Sequence, residues 1–300
     1  MVLTNFDSNL FNATVSTYDV RQKRVIDVIT IPGISENPKF HVSGVQVDVA
    51  RDLLSIVANA GTAFDTAGQD ISGDNVLVQY DLHQQRIVWR QNLTAVTKGL
   101  YGGFQDVEHD TFGNTFVMGT FPSSIIKIST DGKTATPWFV ETNTKTTVHG
   151  FSGIATHETG NFLLVADNEK GQILRFDTGA AKGTPELVVL QGGVEPIGKD
   201  LDCAYLPPLF RGTVLLVVDN ALGVIVIRSK DGKWEKAEKL GAIANAYLND
   251  GGLSTAVVEL GGRIYVSTEF FGDTAPAHSL NRTQFPLYDI TDEVKKLLWA

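Results

Sequence analysis

FVMGTF (residues 116–121), LLVADN (residues 163–168) and LLVVDN (residues 215–220) read alike: a short apolar run closed by a polar or aromatic residue. Runs of this length bounded by turn residues are the signature of buried strands. Working outward, LSIVAN (54–59), IYVSTEF (264–270) and VLTNF (2–6) repeat the pattern, so six copies end at Phe6, Asn59, Phe121, Asn168, Asn220 and Phe270. The spacings are 53, 62, 47, 52 and 50 residues, the period of a four-stranded propeller blade. The expected fold is all-β: a single domain over residues 1–300, a six-bladed β-propeller in which each copy is the second strand of a four-stranded blade.

A second set of signals keeps the same register. Tyr18-Asp19, Tyr80-Asp81, Phe176-Asp177 and Tyr288-Asp289 each end an alternating run, and Asp131-Gly132 and Asp231-Gly232 read as hairpin turns in the other two copies. An Asp side chain closes such turns by accepting backbone N–H groups, so these aspartates are assigned to the scaffold. If residues 2–6 are a second strand, the first blade lacks its inner strand. Either a longer precursor has lost a leader and that strand, the favoured reading, or the C-terminal segment after Asp289 fills the gap and leaves no open edge.

Composition bounds the function. The chain is 43% hydrophobic with 29 glycines, and no run approaches the length needed to span a bilayer. The residues from Asp292 to Trp299 are the one segment that reads as a helix. A net charge of −9 without a basic run argues against a nucleic-acid partner, because phosphate neutralisation needs clustered Lys and Arg. Cys203, the single cysteine, lies in an apolar run and reads as a small buried hydrophobe. Asn12, Asn92 and Asn281 begin Asn-x-Thr sequons, which point to a secreted glycoprotein whose leader is absent from this chain.

In a propeller, first strands line a central channel, and the second-to-third-strand loops share one face with the starts of the first strands. First strands are expected to begin at His41-Val42-Ser43-Gly44, Phe104-Gln105-Asp106, His149-Gly150-Phe151-Ser152, Asp200-Leu201-Asp202 and Asn249-Asp250-Gly251. Second strands deliver Asn5, Asn59, Thr120, Asp167-Asn168, Asp219-Asn220 and Glu269 to the same level, where strand alternation turns some into the blade to tie down backbone N–H groups. Convergent polar groups among Phe104, Phe121, Phe151, Tyr247 and Phe270 fit an apolar pocket with a few polar anchors. The candidate acid–base residues are Asp106, His149, Asp202 and Glu269. The candidate substrate-binding residues are His41, Asn59, Phe64, Phe104, Gln105, Phe121, Phe151, Asn168, Asn220, Tyr247, Asn249 and Phe270. The loop at residues 59–74, carrying Phe64 and Asp65, is long enough to be a lid, and residues 272–284 are a candidate opposite wall.

Several chemistries lack their parts. There is no Gly-x-Ser-x-Gly elbow, no His-Glu-x-x-His, no phosphate-binding Gly-Lys-Ser/Thr and no cysteine pair. Acid–base or hydrogen-bond catalysis, a metal-dependent hydrolase with oxygen ligands, and pure binding remain open.

HVSGVQVD (41–48), NAGTAFDTAGQDISGDN (59–75), YGGFQDVEHDTFGNTFVMGTFPSSIIK (101–127) and HGFSGIA (149–155) resemble a fungal propeller family. It contains a yeast surface allergen, the trichothecene-cluster propeller protein and the hetero-Diels–Alderases of tropolone–sesquiterpenoid pathways. The resemblance extends from Asn12 onward. It implies a six-bladed propeller, a secretory leader and, in several members, ring formation on terpenoid intermediates with no metal or other cofactor. The expected partner is then a small hydrophobic terpenoid or polyketide-derived substrate, taken up by a monomer or weak dimer. Two rivals stand beside this cyclase reading. One is a non-enzymatic propeller that binds a lipid or other small hydrophobic ligand; the other is a metal-dependent lactonase-like hydrolase, with Glu269, Asn168, Asn220 and Asp202 as the imagined ligand set.

Overall fold

The computed structural model describes residues 4–9, 12–143, 145–193, 196–273 and 285–299, with backbone alone for 4–9. Their strands form six sheets, and the chain is an all-β propeller. The first sheet is β1 (Thr4–Asn9), β2 (Thr14–Asp19) and β3 (Arg24–Ile29); the second is β4 (Phe40–Asp48), β5 (Leu53–Ala60), β6 (Val76–Asp81) and β7 (Arg86–Asn92). The third is β8 (Gly102–His109), β9 (Thr115–Phe121), β10 (Ser124–Ile128) and β11 (Ala135–Val140), and the fourth is β12 (Phe151–Thr156), β13 (Phe162–Asp167), β14 (Gln172–Asp177) and β15 (Glu186–Leu187). In the fifth, β16 (Val189–Leu190) pairs in parallel with β20 (Lys236–Ala244), beside β17 (Leu201–Tyr205), β18 (Val214–Asp219) and β19 (Gly223–Arg228). The last holds β21 (Leu253–Leu260), β22 (Arg263–Glu269) and β23 (Leu287–Asp289).

Contacts divide the chain into two compact units. The first comprises residues 1–152, 159–162 and 177–184, and the second residues 153–158, 163–176 and 185–300. Within the first unit, Val15, Ile29, Val42, Ile56 and Val78 form one core cluster, and Val57, Leu77, Phe104, Val117 and Ile126 another. The second unit centres on Leu216, Val226, Ile264, Val266 and Val294.

Strands β5, β9, β13 and β18 are the apolar runs from which the repeat was read, and β9, β13 and β18 are buried at every residue. A strand buried on both faces needs side chains without polar groups on both parities, which is why these runs are continuous rather than alternating. The turn aspartates behave as read. Asp19 Oδ1 accepts the Arg21 and Gln22 N–H groups, Asp81 Oδ1 that of Gln84, Asp177 Oδ1 that of Gly179 and Asp289 Oδ1 that of Thr291. Asp131 and Asp231 close their hairpins on the N–H groups of Lys133 and Lys233.

Two expectations are corrected. Uniform four-stranded blades are not formed: four sheets contain a four-strand meander, while β1–β3 and β21–β23 have three strands among the described residues. The tail does not supply a strand either: it forms the helix expected there, α3 (Thr291–Leu298), and two short helices that the sequence did not signal, α1 (Thr62–Asp65) and α2 (Leu93–Thr97), precede it. Helix α3 packs on β20 and β22 with Val294 fully buried, and the Leu298 carbonyl accepts from Arg228 Nη1.

The first strands carry a feature that alternation alone does not show. Register shifts fall between Val42 and Val45 in β4, Phe104 and Asp106 in β8, Leu201 and Ala204 in β17, and Ser254 and Ala256 in β21. Bulges of this kind bend a strand and re-aim its side chains. They also bring neighbouring backbones close. A Cβ on Gly44 would lie 2.6 Å from Gln105 O, and one on Gly153 would lie 2.3 Å from Ala204 N. Only glycine fits at either point.

Candidate functional site

In the first unit, Asn59 and His41 are cross-strand partners at the end of the second sheet. Asn59 is fully buried; its Nδ2 donates to Ser43 Oγ and, at 3.0 Å, to the Phe104 carbonyl of the next sheet, while Oδ1 has no partner among the described residues. Thr120 repeats the role one sheet on, its hydroxyl donating to Phe151 O at 2.8 Å. The second unit has the same device. Asn168 Oδ1 accepts the Leu201 N–H at 2.8 Å, and Asn220 Nδ2 donates to Ser254 O and to Asp202 Oδ2, both at 2.8 Å. A polar residue at the end of a second strand thus ties down the first strand of the following sheet. Burial demands such pairing, because an amide removed from water without a partner costs on the order of 1–3 kcal/mol.

The remaining candidates fall into different settings. Phe104 lies inside the core of the first unit rather than on a pocket wall, with its ring against Gly119. Phe151 is buried and stacks on Phe139 at 5.3 Å. Gln105 Nε2 donates to Ser152 O, and Asp106 Oδ1 accepts the Val107 N–H at 2.8 Å. Ser152 is buried within β12, so the run Gly150-Phe151-Ser152-Gly153 has no strand-to-helix turn of the kind a nucleophile elbow needs. In the second unit, Asn249 is exposed in the short 3₁₀ turn Leu248–Asp250, Tyr247 packs on Tyr288 at 5.4 Å, and Phe270 is buried against Gly252. Glu269 ends β22 opposite Leu253. Asp219, expected with Asn220 at the channel mouth, instead accepts the N–H groups of Lys199, Asp200 and Leu222. Desolvation would raise its pKa, but these donors together hold it below the usual carboxylate value.

One cluster does combine candidates. Phe121, which follows a register of buried residues and precedes a cis bond to Pro122, sits edge-on to Phe64 at 5.3 Å and tilted against His149 at 5.5 Å. Phe64 comes from helix α1 (Thr62–Asp65) in the 59–74 loop. That loop is not structureless, as a long connection suggests. Asp70 N donates to Thr66 Oγ1, Ser72 N donates to Asp70 Oδ1, and the backbone at Gly68 lies against the Thr146 carbonyl and the Phe121 ring. The proposed opposite wall, residues 272–284, lies almost wholly outside the described residues. In the Phe64–Phe121–His149 group the Phe121 ring is buried, and Phe64 and the imidazole, whose Nε2 is buried, are half-exposed. The exposed parts of Phe64 and His149 are what an apolar ligand would meet.

A polar network that the repeat pattern did not reveal occupies the other end of β5. Ser55 Oγ lies 2.9 Å from His109 Nε2 and 3.1 Å from Gln79 Oε1, and Arg51 joins Asp48 to the Thr111 carbonyl. Desolvation pulls the His109 pKa down to about 4, with Arg51 acting in the same direction and Asp48 and Asp110 opposing it. Because Ser55 is fully buried, this Ser–His pair is a scaffold contact and not an accessible nucleophile. Among the described residues, no three His, Cys, Asp or Glu side chains are grouped to share a metal ion.

The geometry and the sequence now meet known proteins. The sequence profile of the Mal s 1 allergenic protein-like family matches residues 4–199. The chain belongs to this family. Trichothecene biosynthesis protein 14 of Trichoderma arundinaceum is 33% identical over 97% of this chain and 83% of its own length. Core trichothecene cluster protein 14 of Fusarium sporotrichioides is 32% identical over 97% of this chain and 80% of its own. The crystal structure of the Malassezia sympodialis allergen Mala s 1 superposes with a TM-score of 0.79, covering 96% of this chain and 89% of that one at 22% identity. This likeness shows the propeller fold of the Mal s 1-like chain.

Proposed function

We propose that this chain is a cofactor-free cyclase of fungal secondary metabolism that closes a ring on a terpenoid intermediate. The observation that carries the reading is the Phe64–Phe121–His149 group beneath an ordered loop, in a chain a third identical along nearly its whole length to a trichothecene biosynthesis protein. Aromatic walls lower the barrier of a ring closure mainly by holding a flexible hydrocarbon in a reactive conformation. Acid–base groups then act where charge develops. In an ether-forming closure, His149 or Asp106 in the first unit protonates an allylic hydroxyl, which leaves as water, while a second substrate hydroxyl attacks the carbon and loses its proton. Asp202 and Glu269 are the corresponding acids of the second unit. A hetero-Diels–Alder addition of a humulene-type alkene to a quinone methide uses the same orientation without loss of water.

We read the six sheets as six blades, two of them reduced, in a secreted glycoprotein. Asn12 and Asn92 are exposed sequon positions, and a mass decrease on deglycosylation after expression in a fungal secretory host is the expected outcome.

The deciding experiment is incubation of purified protein, with EDTA, with an allylic diol of the sesquiterpene class and separately with a humulene-type alcohol plus a quinone-methide precursor, followed by chiral chromatography. Accelerated formation of one stereoisomer supports the cyclase. Rates and isomer ratios equal to the protein-free control in both reactions overturn it; saturable binding of the same compounds then favours the ligand-binding propeller, and metal-restored ester hydrolysis the lactonase-like reading.

A further inference from the structure

Strand β3, RVIDVI, is the outermost strand of its sheet and is exposed at five of its six residues. Val25, Ile26 and Val28 are 50%, 43% and 48% exposed, which is unusual for three β-branched side chains so close together. Register explains how they come to lie together. Asp19, Thr17 and Val15 pair with Arg24, Asp27 and Ile29, whereas Tyr18 and Ser16 pair with Val25 and Val28. The shift between Thr17 and Tyr18 leaves Ile26 as the extra residue of a bulge. Arg24 and Asp27 therefore share the face of buried Val15 and Thr17, and Val25 and Val28 share the opposite face, with Ile26 beside them. Without the bulge, Arg24 and Asp27, three residues apart, would lie on opposite faces.

Two other outer strands, β11 and β20, have the same bulge but cover it, whereas Val88 of β7, skipped likewise, is 44% exposed and lacks the Arg24–Asp27 pattern. Trp138 in β11, skipped in its register, is covered by the segment whose Ala180 carbonyl accepts its indole N–H. Leu240 in β20, skipped likewise, packs in the core that includes α3. At Ile26 no described element provides that cover.

We infer that the β3 edge is a contact between two copies of this chain. A two-fold axis between Val25 and Ile26 sets Arg24 of each copy opposite Asp27 of the other, on one face, and Val25 opposite Ile26, on the other face. The charge pattern is self-complementary only in this antiparallel arrangement, and it is present in a chain whose net charge of −9 otherwise opposes self-association. Since the bulge interrupts the backbone ladder along the edge, side chains carry the contact. A contact this small yields a weak, reversible dimer.

The test is sedimentation velocity of the intact chain over a concentration series reaching about 200 µM, the range in which small interfaces associate. The expected result is a monomer–dimer equilibrium that Arg24→Asp and Asp27→Arg each weaken about tenfold, through loss of two ion pairs and the like charges put in their place. The double reversal, Arg24→Asp with Asp27→Arg, restores it. Thermal melts of the dilute variants check that each is folded. A chain that stays monomeric throughout overturns the inference, as does a dimer indifferent to both single reversals or one that the double reversal does not recover.

Discussion

Asn220 shows what a polar residue at the end of a second strand does. Its side-chain amide holds Asp202 Oδ2 and Ser254 O, and its backbone carbonyl accepts from Ser254 N and Asn245 Nδ2. Asn220→Ala removes the two side-chain bonds and strands the Ser254 carbonyl, so the expected loss is about 2 kcal/mol of stability, read as a lowered urea midpoint with an unchanged m-value. A catalytic amide would instead leave the midpoint alone and lower turnover. His109 gives a pH-dependent prediction with a definite sign. Its folded pKa of about 4 lies below the ordinary value of about 6.5. Above pH 6.5 the ring is neutral in both states and the stability is complete. As pH falls toward 4 the unfolded chain takes up a proton that the folded chain refuses, and roughly 2–3 kcal/mol is lost. His109→Gln should flatten that interval in urea titrations, and an unchanged slope would show that other groups set it. The end residues Asn59, Thr120, Asn168 and Asn220 were legible as a set, because they recur at one point of the repeat. Tying down backbone groups was legible as one of two roles, but not for which residue, because periodicity records which face a residue takes and not which neighbouring strand its side chain reaches.

At the level of elements, legibility followed burial. The continuous runs of β9, β13 and β18 located strands that are buried throughout, and Asp19, Asp81 and Asp177 located the turns after β2, β6 and β14. The register shifts in β4, β8, β17 and β21 left only an oblique trace, Gly44 in β4 against the shifted β8 and Gly153 in β12 against the shifted β17, where the next backbone excludes a Cβ. Length misled at the 59–74 loop, since Thr66, Asp70 and Ser72 bond locally and Phe64 anchors the whole excursion on Phe121. Phe64→Ala should therefore loosen the loop without unfolding the sheets: proteolysis between residues 64 and 74 accelerates, and the melting temperature falls by no more than a few degrees. If the loop serves the proposed cyclisation, KM rises with it. Unchanged cleavage would mean that the backbone contacts at Gly68 hold the loop by themselves.

For the molecule as a whole, burial ranks the strands by how far each sheet must open before its amides meet water. Exchange from a strand sandwiched on both faces requires the surrounding core to separate, whereas an outer strand is released by local fraying. Peptides from β5 and β9 in the first unit and from β13 and β18 in the second should exchange slowest, and those from β3 and β7 at least about a hundredfold faster in dilute protein. Hydrogen–deuterium exchange by mass spectrometry reads both units in one experiment. Similar protection of the four inner peptides means that the two units open together, while a gap between β5 and β13 means that one opens alone. The same data bear on β3 at higher concentration. A dimer joined at that edge slows exchange across residues 24–29 and leaves β7, an outer strand without the Arg24–Asp27 pattern, unchanged. Slowing at β7 alone would move the contact to the second sheet, and rapid exchange at β3 at every concentration would mean that its exposed Val25, Ile26 and Val28 face solvent in solution.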